Sequence, residues 1–400
     1  MKAQVALIRS PGYEANGLRN SLRKAFDLLG GLAKFVRPGS KVFAKINHLS
    51  PASAPERAII THPTFTREIL GFLRELGCQV TVGDDIQDEG RGGFEVSGYG
   101  AVCRETGARL INVKERGFVE MPCRGQVLDK VRLSRAALEA DAVVNLPKLK
   151  THAYTGFTGA VKNAYGLIPL GDRLAYHRRF PGIDRFSRML LDIFSCLPPG
   201  LTVMDGIVGM EGLGPASGSP RPLGLILAGP DAVAVDAVAC AVVGIRPDDV
   251  LTIRLAGERG LGTASLSGIE ILGESLAAAK ITGFRSPGLV LGALRRRSPS
   301  SVYAFIQSRM GFVPQADPSR CVACGECLRI CPAGAITLRD GSAVLDARRC
   351  IHCLCCGEVC RNGAVRLRPT LTRRIVGGLE SVLESITTKR RGHSDKEREF

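Results

Sequence analysis

The chain has 400 residues, 45% of them hydrophobic and 23% charged, and no apolar run approaches the roughly 20 residues that a bilayer-spanning helix needs. This composition excludes intrinsic disorder for most of the chain, and the length predicts two to three domains. The net charge is +16, and because tryptophan is absent and no nucleic-acid motif is found, it favours an acidic partner protein or an anionic small-molecule substrate over nucleic acid.

Short apolar segments alternate with amphipathic segments over residues 3–290, which is the pattern of stacked βα units. The predicted strands are AQVALIR, KVFAKIN, QVTVGDD, RLINVKE, DAVVNLPKL, LTVMDGIVGM, LGLILAG and IEILGE. The predicted helices are FTREILGFLRELGC, RFSRMLLDIFSCL, AVAVDAVACAVVGI and DDVLTIRLAGERG. Several strands are almost continuous in Val, Ile and Leu, as parallel strands covered on both faces are. Residues 1–292 are therefore predicted to form an α/β domain with an open, mostly parallel sheet.

The chain changes composition after this domain. Residues 293–315 predict a linker with a short helix, and residues 316–368 predict a small ferredoxin-like α+β iron–sulfur domain. Residues 369–400 predict a helix and a charged tail. That helix would lie on a membrane surface or dock on protein, and docking is favoured because its polar face carries both signs of charge. The N-terminal apolar run ends at Arg9, too early for a secretion signal, so a cytoplasmic location is predicted.

Nine of the 14 cysteines fall between Cys321 and Cys360. The strings CVACGECLRICP and CIHCLCCGEVC each separate four cysteines by two, two and three residues, which does not fit paired zinc knuckles. Three thiolates at this spacing wrap one iron–sulfur cubane, and the fourth ligates the other cluster. The two predicted [4Fe–4S] ligand sets are Cys321, Cys324, Cys327 and Cys360, and Cys350, Cys353, Cys356 and Cys331. The module resembles the bacterial two-cluster ferredoxins over its whole length.

Two positions depart from the ferredoxin pattern. Arg361 stands where a proline usually follows the second motif, and Cys355 is an extra thiol beside Cys356. Cys355 is either a bystander or an alternative ligand, and the bystander is favoured. We expect Arg348, Arg349 and Arg361 to raise the reduction potential of the second cluster, which a potentiometric titration of Arg361→Glu checks.

The segment NLPKLKTHAYTGFTGAVKNAYGLIP predicts an anion site after a buried strand. Open α/β sheets bind ligands at the carboxyl ends of their strands, and backbone N–H groups ahead of a helix attract anions. No Walker A string is present. The predicted substrate-binding residues are Lys148, Lys150, Thr155, Thr158 and Asn163, and the predicted catalytic residues are His152 and Lys162. An ordinary histidine pKa near 6.5 suits proton donation at neutral pH. The alternative is a basic surface on which a lysine caps a helix.

Other polar residues follow predicted strands and are weaker candidates for the same edge of the sheet. They are Lys45, Asn47, His62, Asp84 and Asp85. Asp205 and Glu211 either hold a cation or ligand or belong to an ordinary turn-rich loop. Asp231 is predicted to cap a helix, and Asp236 would be costly if it were buried without a partner.

Six motifs together are similar to the family called domain of unknown function 362, over about residues 3–290. They are KINH, VGDD, NLPKLKTH, TGFTGAVKNAYG, DGIVGMEGLGP and LAGPDAVAVDAV. Members of this family often carry a ferredoxin module, and the family brings no assigned reaction.

The stretch from His152 to Lys162 is more distantly similar to the H-x-x-A-G-[FY]-[ST]-G-G-x-K stretch of the nickel-pincer lactate racemases. That resemblance implies that His152 is catalytic, that Lys162 carries an organic cofactor covalently, and that His177 binds nickel. The sequence departs from the racemase pattern at Thr151, Ala160 and Asn163.

Three hypotheses for function follow from these observations. The first is an iron–sulfur oxidoreductase that exchanges electrons between a protein partner and a substrate held by the α/β domain. The second is a ferredoxin-like electron carrier or adaptor without catalysis of its own. The third is a pincer-cofactor isomerase or racemase.

Overall fold

A computed structural model describes residues 2–49, 53–86, 92–287 and 311–375 of the chain. Most of the predicted linker and most of the predicted C-terminal helix and tail lie outside these residues. Residues 312–315, which the sequence assigned to the linker, lie in a strand. None of the helices in the described ranges has the length and apolar character that crossing a membrane requires.

The strands of the described residues are numbered in chain order. They are β1 (Ala3–Arg9), β2 (Lys41–Ile46), β3 (Gln79–Asp84), β4 (Arg109–Asn112), β5 (Phe118–Pro122), β6 (Lys130–Ser134), β7 (Ala142–Leu146), β8 (Lys148–His152), β9 (Gly156–Thr158), β10 (Leu201–Glu211), β11 (Ser219–Gly229), β12 (Ile269–Gly273), β13 (Phe312–Ala316), β14 (Ile336–Arg339), β15 (Ser342–Leu345) and β16 (Val365–Pro369).

The helices are numbered in the same way. They are α1 (Ala15–Leu28), α2 (Pro63–Glu75), α3 (Gly93–Val96), α4 (Tyr99–Thr106), α5 (Arg135–Leu138), α6 (Ala160–Asn163), α7 (Leu170–Arg179), α8 (Ile183–Cys196), α9 (Ala232–Val242), α10 (Leu251–Glu258), α11 (Leu276–Ala279), α12 (Glu326–Ile330) and α13 (Cys355–Glu358).

Ten of the strands form one large mixed sheet. Its main path is β12-β1-β11-β10-β7-β2-β3-β4, with β8 beside β10 and β9 beside β8. Strands β10, β7, β2, β3 and β4 run parallel to one another along this path, whereas β11 runs antiparallel to β1 and β10. The predicted α/β fold with a mostly parallel sheet is confirmed.

The boundaries of the elements follow from local chemistry. Helix α2 begins at Pro63, a residue suited to the first turn, and the His62 side chain accepts a hydrogen bond from the Thr64 N–H at 3.2 Å. The predicted strand DAVVNLPKL is divided into β7 and β8 at Pro147, which has no N–H to donate to a sheet ladder. Both segments pair parallel with β10, and β8 also pairs with β9.

Helices cover both faces of the sheet. One hydrophobic core packs α9 and α10 against the sheet, with Val233, Val238 and Leu255 fully or almost fully buried. A second core on the other face packs α1 and α2, with Leu22 and Ile69 buried. The C-terminal module pairs β13 with β16 and β14 with β15, and carries the short helices α12 and α13. This arrangement matches the predicted ferredoxin-like module.

Candidate functional site

A cavity of about 100 Å³ lies between the carboxyl ends of the sheet strands and the iron–sulfur module. The sheet contributes Lys45, Asp84 and Lys150 to its wall, from the ends of β2, β3 and β8. The module contributes Cys355 and Glu358 from α13. The cavity therefore lies at the edge of the sheet where an open α/β fold binds ligands.

Strand β8 presents three basic side chains on one face because side chains alternate along a strand. Leu149 points the other way, into the core. Lys150 and His152 line the cavity. Lys148 does not: its Nζ lies 2.7 Å from Asp205 Oδ2, and both side chains are fully buried. Of the three predicted basic residues of this strand, two thus reach the site and one forms a buried ion pair.

Lys150 is held by neutral groups. Its Nζ donates to Asn47 Oδ1 and to the carbonyl oxygen of Ile59, both at 2.6 Å. Burial, and secondly the charge of Lys162, lower the pKa of Lys150 to about 7. In the described part of the chain no carboxylate lies within ion-pair distance of this ammonium, so a bound anion would be its first charged partner.

Lys162 and Thr158 carry polar groups without partners. Within the described residues, Lys162 Nζ makes no hydrogen bond or ion pair, and it lies 5.8 Å from the centroid of the Tyr165 ring. Burial lowers the pKa of Lys162, and the charge of Glu358 opposes that shift. Thr158 is 4% exposed, and its Oγ1 has no hydrogen-bond partner. Both residues line the cavity, and buried polar groups normally have partners, so these two favour an anionic, hydrogen-bonding ligand.

The other two cations of the cavity are neutralised within the protein. Lys45 Nζ lies 2.8 Å from Asp84 Oδ1, and Arg173 forms an ion pair with Asp85. Asn163, predicted to bind substrate, accepts hydrogen bonds from Lys45 at 3.3 Å and from Asn47 at 3.0 Å. Asn163 thus also positions the residues around the cavity.

His152 has a defined tautomer. Its Nδ1 accepts hydrogen bonds from the backbone N–H groups of Tyr154 at 3.1 Å and Thr155 at 3.3 Å, which assigns the proton to Nε2. Nε2 faces Glu358 Oε1 at 3.8 Å. Burial, and then the charge of Lys162, hold the pKa of His152 well below its usual range. His152 therefore offers a neutral N–H donor, not the imidazolium that an ordinary pKa suggests.

Thr155 and His177 were also predicted as site residues, and only His177 lines the cavity. Thr155 lies in the turn after β8, where its Oγ1 donates to the carbonyl oxygen of Phe157 at 3.1 Å. His177 lines the cavity but is stacked on the Phe186 ring, with 4.5 Å between ring centroids. Burial, and secondly Lys162, lower the pKa of His177 to about 3, so this imidazole is neutral.

The amino end of α6 is occupied by a carboxylate of the protein itself. Asp236 accepts hydrogen bonds from the N–H groups of Ala160 at 2.6 Å and Val161 at 3.0 Å. Burial raises the pKa of Asp236 to about 7. The expectation that these amides attract an external anion is therefore corrected: side chains, not this helix end, supply the positive groups of the cavity. The same contacts give Asp236 the partners that its burial demands.

Asp205 and Glu211, which the sequence associated with a turn-rich loop, both lie in β10 and have partners as well. Asp205 accepts hydrogen bonds from Tyr13 and from the His62 N–H, both at 2.9 Å, and Glu211 forms an ion pair with Arg285 at 2.9 Å. In the described ranges, no three His, Cys, Asp or Glu side chains are arranged to bind a single metal ion. Asp231 caps α9 as predicted, through the N–H groups at the start of that helix.

The first predicted ligand set surrounds a small cavity in the iron–sulfur module. Cys321, Cys324, Cys327 and Cys360 all line this space of about 20 Å³. Burial, and then the charges of Cys360 and Cys324, raise the pKa of Cys327, so these thiols are close neighbours. The four thiols of the first predicted set thus border one space, although they are far apart in sequence.

The second half of the module repeats the first at an offset of 29 residues. Ala323 and His352 both have a positive φ, as do Gly325 and Leu354. Cys331 Sγ accepts a hydrogen bond from the Ala335 N–H at 3.2 Å. The equivalent bond joins Cys360 Sγ to the Ala364 N–H at the same distance. Burial, and then Cys353, Cys350 and Cys331, raise the pKa of Cys356. The two halves of the module thus share one backbone pattern.

Sequence reasoning missed the contribution of the module to the cavity. Cys355 and Glu358 stand where the first half has Glu326 and Arg329. The first-half pair forms a surface ion pair at 2.7 Å, whereas Cys355 and Glu358 line the cavity. Aligning the two halves of the module in the sequence would have revealed this difference. Arg173 was missed because α7 was not predicted, and its ion pair with a residue from another strand end leaves no local pattern.

Comparisons with known proteins find matches for both the α/β domain and the iron–sulfur module. A family model for a 4Fe–4S binding domain matches residues 314–337, so this is an iron–sulfur protein. The thylakoid-associated protein sll1697 of Synechocystis sp. (strain ATCC 27184 / PCC 6803 / Kazusa) is 34% identical over 264 residues, which cover 65% of this chain and 81% of that protein.

Two solved structures are similar to a little over half of the chain. The lactate racemase apoprotein from Thermoanaerobacterium thermosaccharolyticum matches with a TM-score of 0.38 and 14% identity, covering 57% of this chain and 54% of that one. A structural-genomics protein from Thermotoga maritima matches with a TM-score of 0.35 and 17% identity, covering 55% and 56%. The chain thus spans just over half the length of each.

The family resemblance drawn from the six motifs is confirmed. The family model described as domain of unknown function (DUF362) matches residues 42–241, which include the strands and the loop that form the cavity wall. The chain belongs to the DUF362 family and joins that domain to a 4Fe–4S binding module.

Proposed function

We propose that this protein is an oxidoreductase that binds a small anionic substrate in the cavity between the α/β domain and the iron–sulfur module. One observation carries the proposal. Cys356, a predicted cluster ligand, lies in α13 between Cys355 and Glu358, and both of these line the cavity. A substrate in this cavity would therefore lie beside the second cluster-binding loop.

The proposal includes two clusters, on the two ligand sets given above. Each cluster, when bound, supplies one-electron transfer. We assign the α/β domain to residues 1–292 and the iron–sulfur domain to residues 316–368, the latter extended to Phe312 because β13 pairs with β16.

The chain's own residues provide binding and orientation. Lys162 and Lys150 would bind the anionic group of the substrate, and Thr158 would supply a hydroxyl for a further hydrogen bond. His152 would donate a hydrogen bond from its Nε2–H to a substrate oxygen that gains negative charge as the substrate is reduced. Because Lys150, Thr158 and His152 are buried and Lys162 is partly buried, these charge interactions are stronger than they would be in water.

Apolar contacts close the cavity on the side of the module. Ile330 and Val359 of the module pack with Leu170 and Leu174 of α7. This packing excludes water from the Lys162 side of the cavity and holds α13 against the α/β domain. The module is thus a structural wall of the site as well as the carrier of the cysteines.

Anion binding by the anaerobically reconstituted protein tests the proposal. Acetate, pyruvate, phosphate and sulfate are titrated while the electron paramagnetic resonance spectrum of the dithionite-reduced protein is recorded. At least one anion should perturb the spectrum and be reduced as the clusters are reoxidised. Lys162→Met should abolish both effects, and Lys24→Met, an exposed lysine of α1, should change neither. Equal responses from the two variants would contradict the proposal.

A covalent cofactor on Lys162 is the second candidate, favoured by one observation. The Lys162 ammonium has no partner within the described residues, and its pKa is lowered, so its amine is available for attachment. His152 and His177 line the same cavity. Intact mass of the natively purified protein decides between the candidates: the bare polypeptide mass supports a free substrate site, and added mass on Lys162, with nickel, supports a pincer-type isomerase.

We also propose an acidic redox protein as the physiological electron partner and the cytoplasm as the location. The net charge of +16 supports the partner assignment. The Synechocystis relative is named as thylakoid-associated, so cell fractionation into membrane and supernatant tests the location directly.

A further inference from the structure

The two halves of the iron–sulfur module differ in how far their cysteine loops are exposed to solvent. Cys324 is exposed to solvent, whereas its equivalent in the second half, Cys353, is only partly exposed. Val322 is 66% exposed and Leu328 is 40% exposed. The residue equivalent to Leu328 is Gly357, which is buried on the side where the module meets the α/β domain. The cysteine loop of the second half thus faces the cavity and that of the first half is more exposed, whereas Ile330 of the first half also lines the cavity.

The exposed half combines apolar and basic side chains. Val322 and Leu338 line the space between the first four thiols and remain 66% and 41% exposed. Arg320 and Arg361 are exposed and both lie near this loop, and Arg329 is 60% exposed at the side chain. Exposed apolar groups ringed by charge mark an interaction surface, and single exposed residues do not.

We propose that this surface docks a small acidic redox protein that exchanges electrons with the first cluster. We call it the Cys324 face and define it by Arg320, Val322, Cys324, Leu328, Arg329 and Arg361. The inference rests on the redox role proposed above, and it adds where the partner binds. In each encounter the reduced partner loses one electron and is oxidised, and the first cluster gains that electron and is reduced.

Charge complementarity selects an acidic partner. The Cys324 face carries three arginines, and two acidic neighbours are paired within the module: Glu326 with Arg329 at 2.7 Å and Asp317 with Arg366 at 2.7 Å. A field of this sign attracts acidic proteins over distances comparable to the Debye length, so association should slow as salt is added. The small exposed apolar area suits a transient complex, as electron-transfer encounters usually are.

Binding and electron-transfer rates of matched charge-reversal variants test the inference. The probe is flavodoxin, a small acidic one-electron donor, and the protein is the full chain with its clusters loaded. Arg320→Glu combined with Arg329→Glu should weaken the affinity for oxidised flavodoxin at least tenfold at low salt. It should slow reduction by flavodoxin hydroquinone by a similar factor. Arg37→Glu, an exposed residue before the amino end of β2 and thus at the opposite edge of the sheet, is the control and should leave both unchanged.

The methyl viologen radical cation provides a second control because it is small and positively charged. It should reduce the wild type and both variants at similar rates, which shows that the clusters are intact. Equal losses in the Arg37→Glu control, or none in the double variant, would overturn the docking site. If flavodoxin docks on the Cys324 face but no anion reoxidises the reduced protein, the docking inference stands and the proposed substrate site fails.

Discussion

His152 Nε2 and Glu358 Oε1 lie 3.8 Å apart across the boundary between the α/β domain and the iron–sulfur module. His152 ends β8, and Glu358 ends α13. Burial raises the pKa of Glu358, and Lys162, Lys150 and Arg173 oppose that shift. The carboxyl group therefore occupies the cationic cavity as an internal anion, and an external anion must share the cavity with it.

Replacing Glu358 by Gln should tighten anion binding. The substitution keeps the shape of the side chain and removes negative charge beside Lys150 and Lys162, so we expect affinity for a monovalent anion to rise up to about tenfold, or ~1.4 kcal/mol. Calorimetric titration with acetate or phosphate measures the change. Glu326→Gln, on the exposed half of the module, is the matched control and should leave the affinity unaltered. Weaker binding in Glu358→Gln would show that this carboxyl group assists the ligand.

Two lysines of the same segment should respond in opposite ways to truncation. Lys148→Met leaves Asp205 buried without its charged partner, which should cost about 3–5 kcal/mol of unfolding free energy. Lys162→Met removes an ammonium that has no partner in the described residues, so stability should change by less than about 1 kcal/mol or increase. Denaturant unfolding under anaerobic conditions compares them. Similar losses for both variants would contradict the different roles assigned to these residues.

The affinity for anions should fall as pH rises from 6 to 8. The pKa of Lys150 is about 7, so its amine is mostly protonated at the lower pH and mostly neutral at the higher one. The loss of one positive group should weaken binding of a monovalent anion several-fold. Lys150→Met should bind weakly with a nearly flat pH profile. Identical profiles for the wild type and this variant would place the titrating group elsewhere.

Asp236 should lower the stability of the protein as pH rises. Its pKa is about 7 in the folded state against an ordinary value near 3.8, so the folded state binds the proton more readily. The resulting stabilisation is present at low pH and is lost as pH rises through about 7. Between pH 5.5 and 7.5 the loss should be about 1–2 kcal/mol relative to Asp236→Asn, which does not titrate. Parallel stability profiles for the two proteins would refute this assignment.

Cys355→Ser should retain about eight irons per chain, and Cys353→Ser should not. Cys355 lines the cavity, and its Sγ lies 4.0 Å from the carbonyl oxygen of Cys353. The sequence favours a bystander role for this thiol over a ligand role. Cys353 belongs to the predicted second set, so its loss should remove iron and visible absorbance. Iron analysis and absorbance near 400 nm measure the cluster content of the two variants. Equal iron loss in both variants would make Cys355 a ligand.

The strands were predictable because their apolar runs are local and long. Helix α1 was also predictable, since Leu18, Leu22, Ala25 and Phe26 recur at helical spacing and are buried. It is nevertheless absent from the predicted helices. The two sets of cysteine ligands stay a prediction from spacing, which is possible because a cubane imposes fixed steps along the chain.

The partners of charged residues were not predictable in the same way. Asp236 reaches α6 from another helix, and Lys148 finds Asp205 on a neighbouring strand. Both contacts depend on tertiary packing, which no local pattern encodes. For that reason the sequence located the site but overestimated how many of its polar groups are open to a ligand.

Because α13 forms one wall of the cavity, the iron supply of the cell should affect the cavity. The short helices of the iron–sulfur module contribute only a few buried apolar residues to its cores, so we expect their order to depend on iron–sulfur binding by the thiols. In a chain made during iron starvation, Glu358 and Val359 would not be held against the α/β domain. The cationic edge of the sheet would then be open to solvent. Retention of ligand would follow the availability of iron, without any separate regulatory protein.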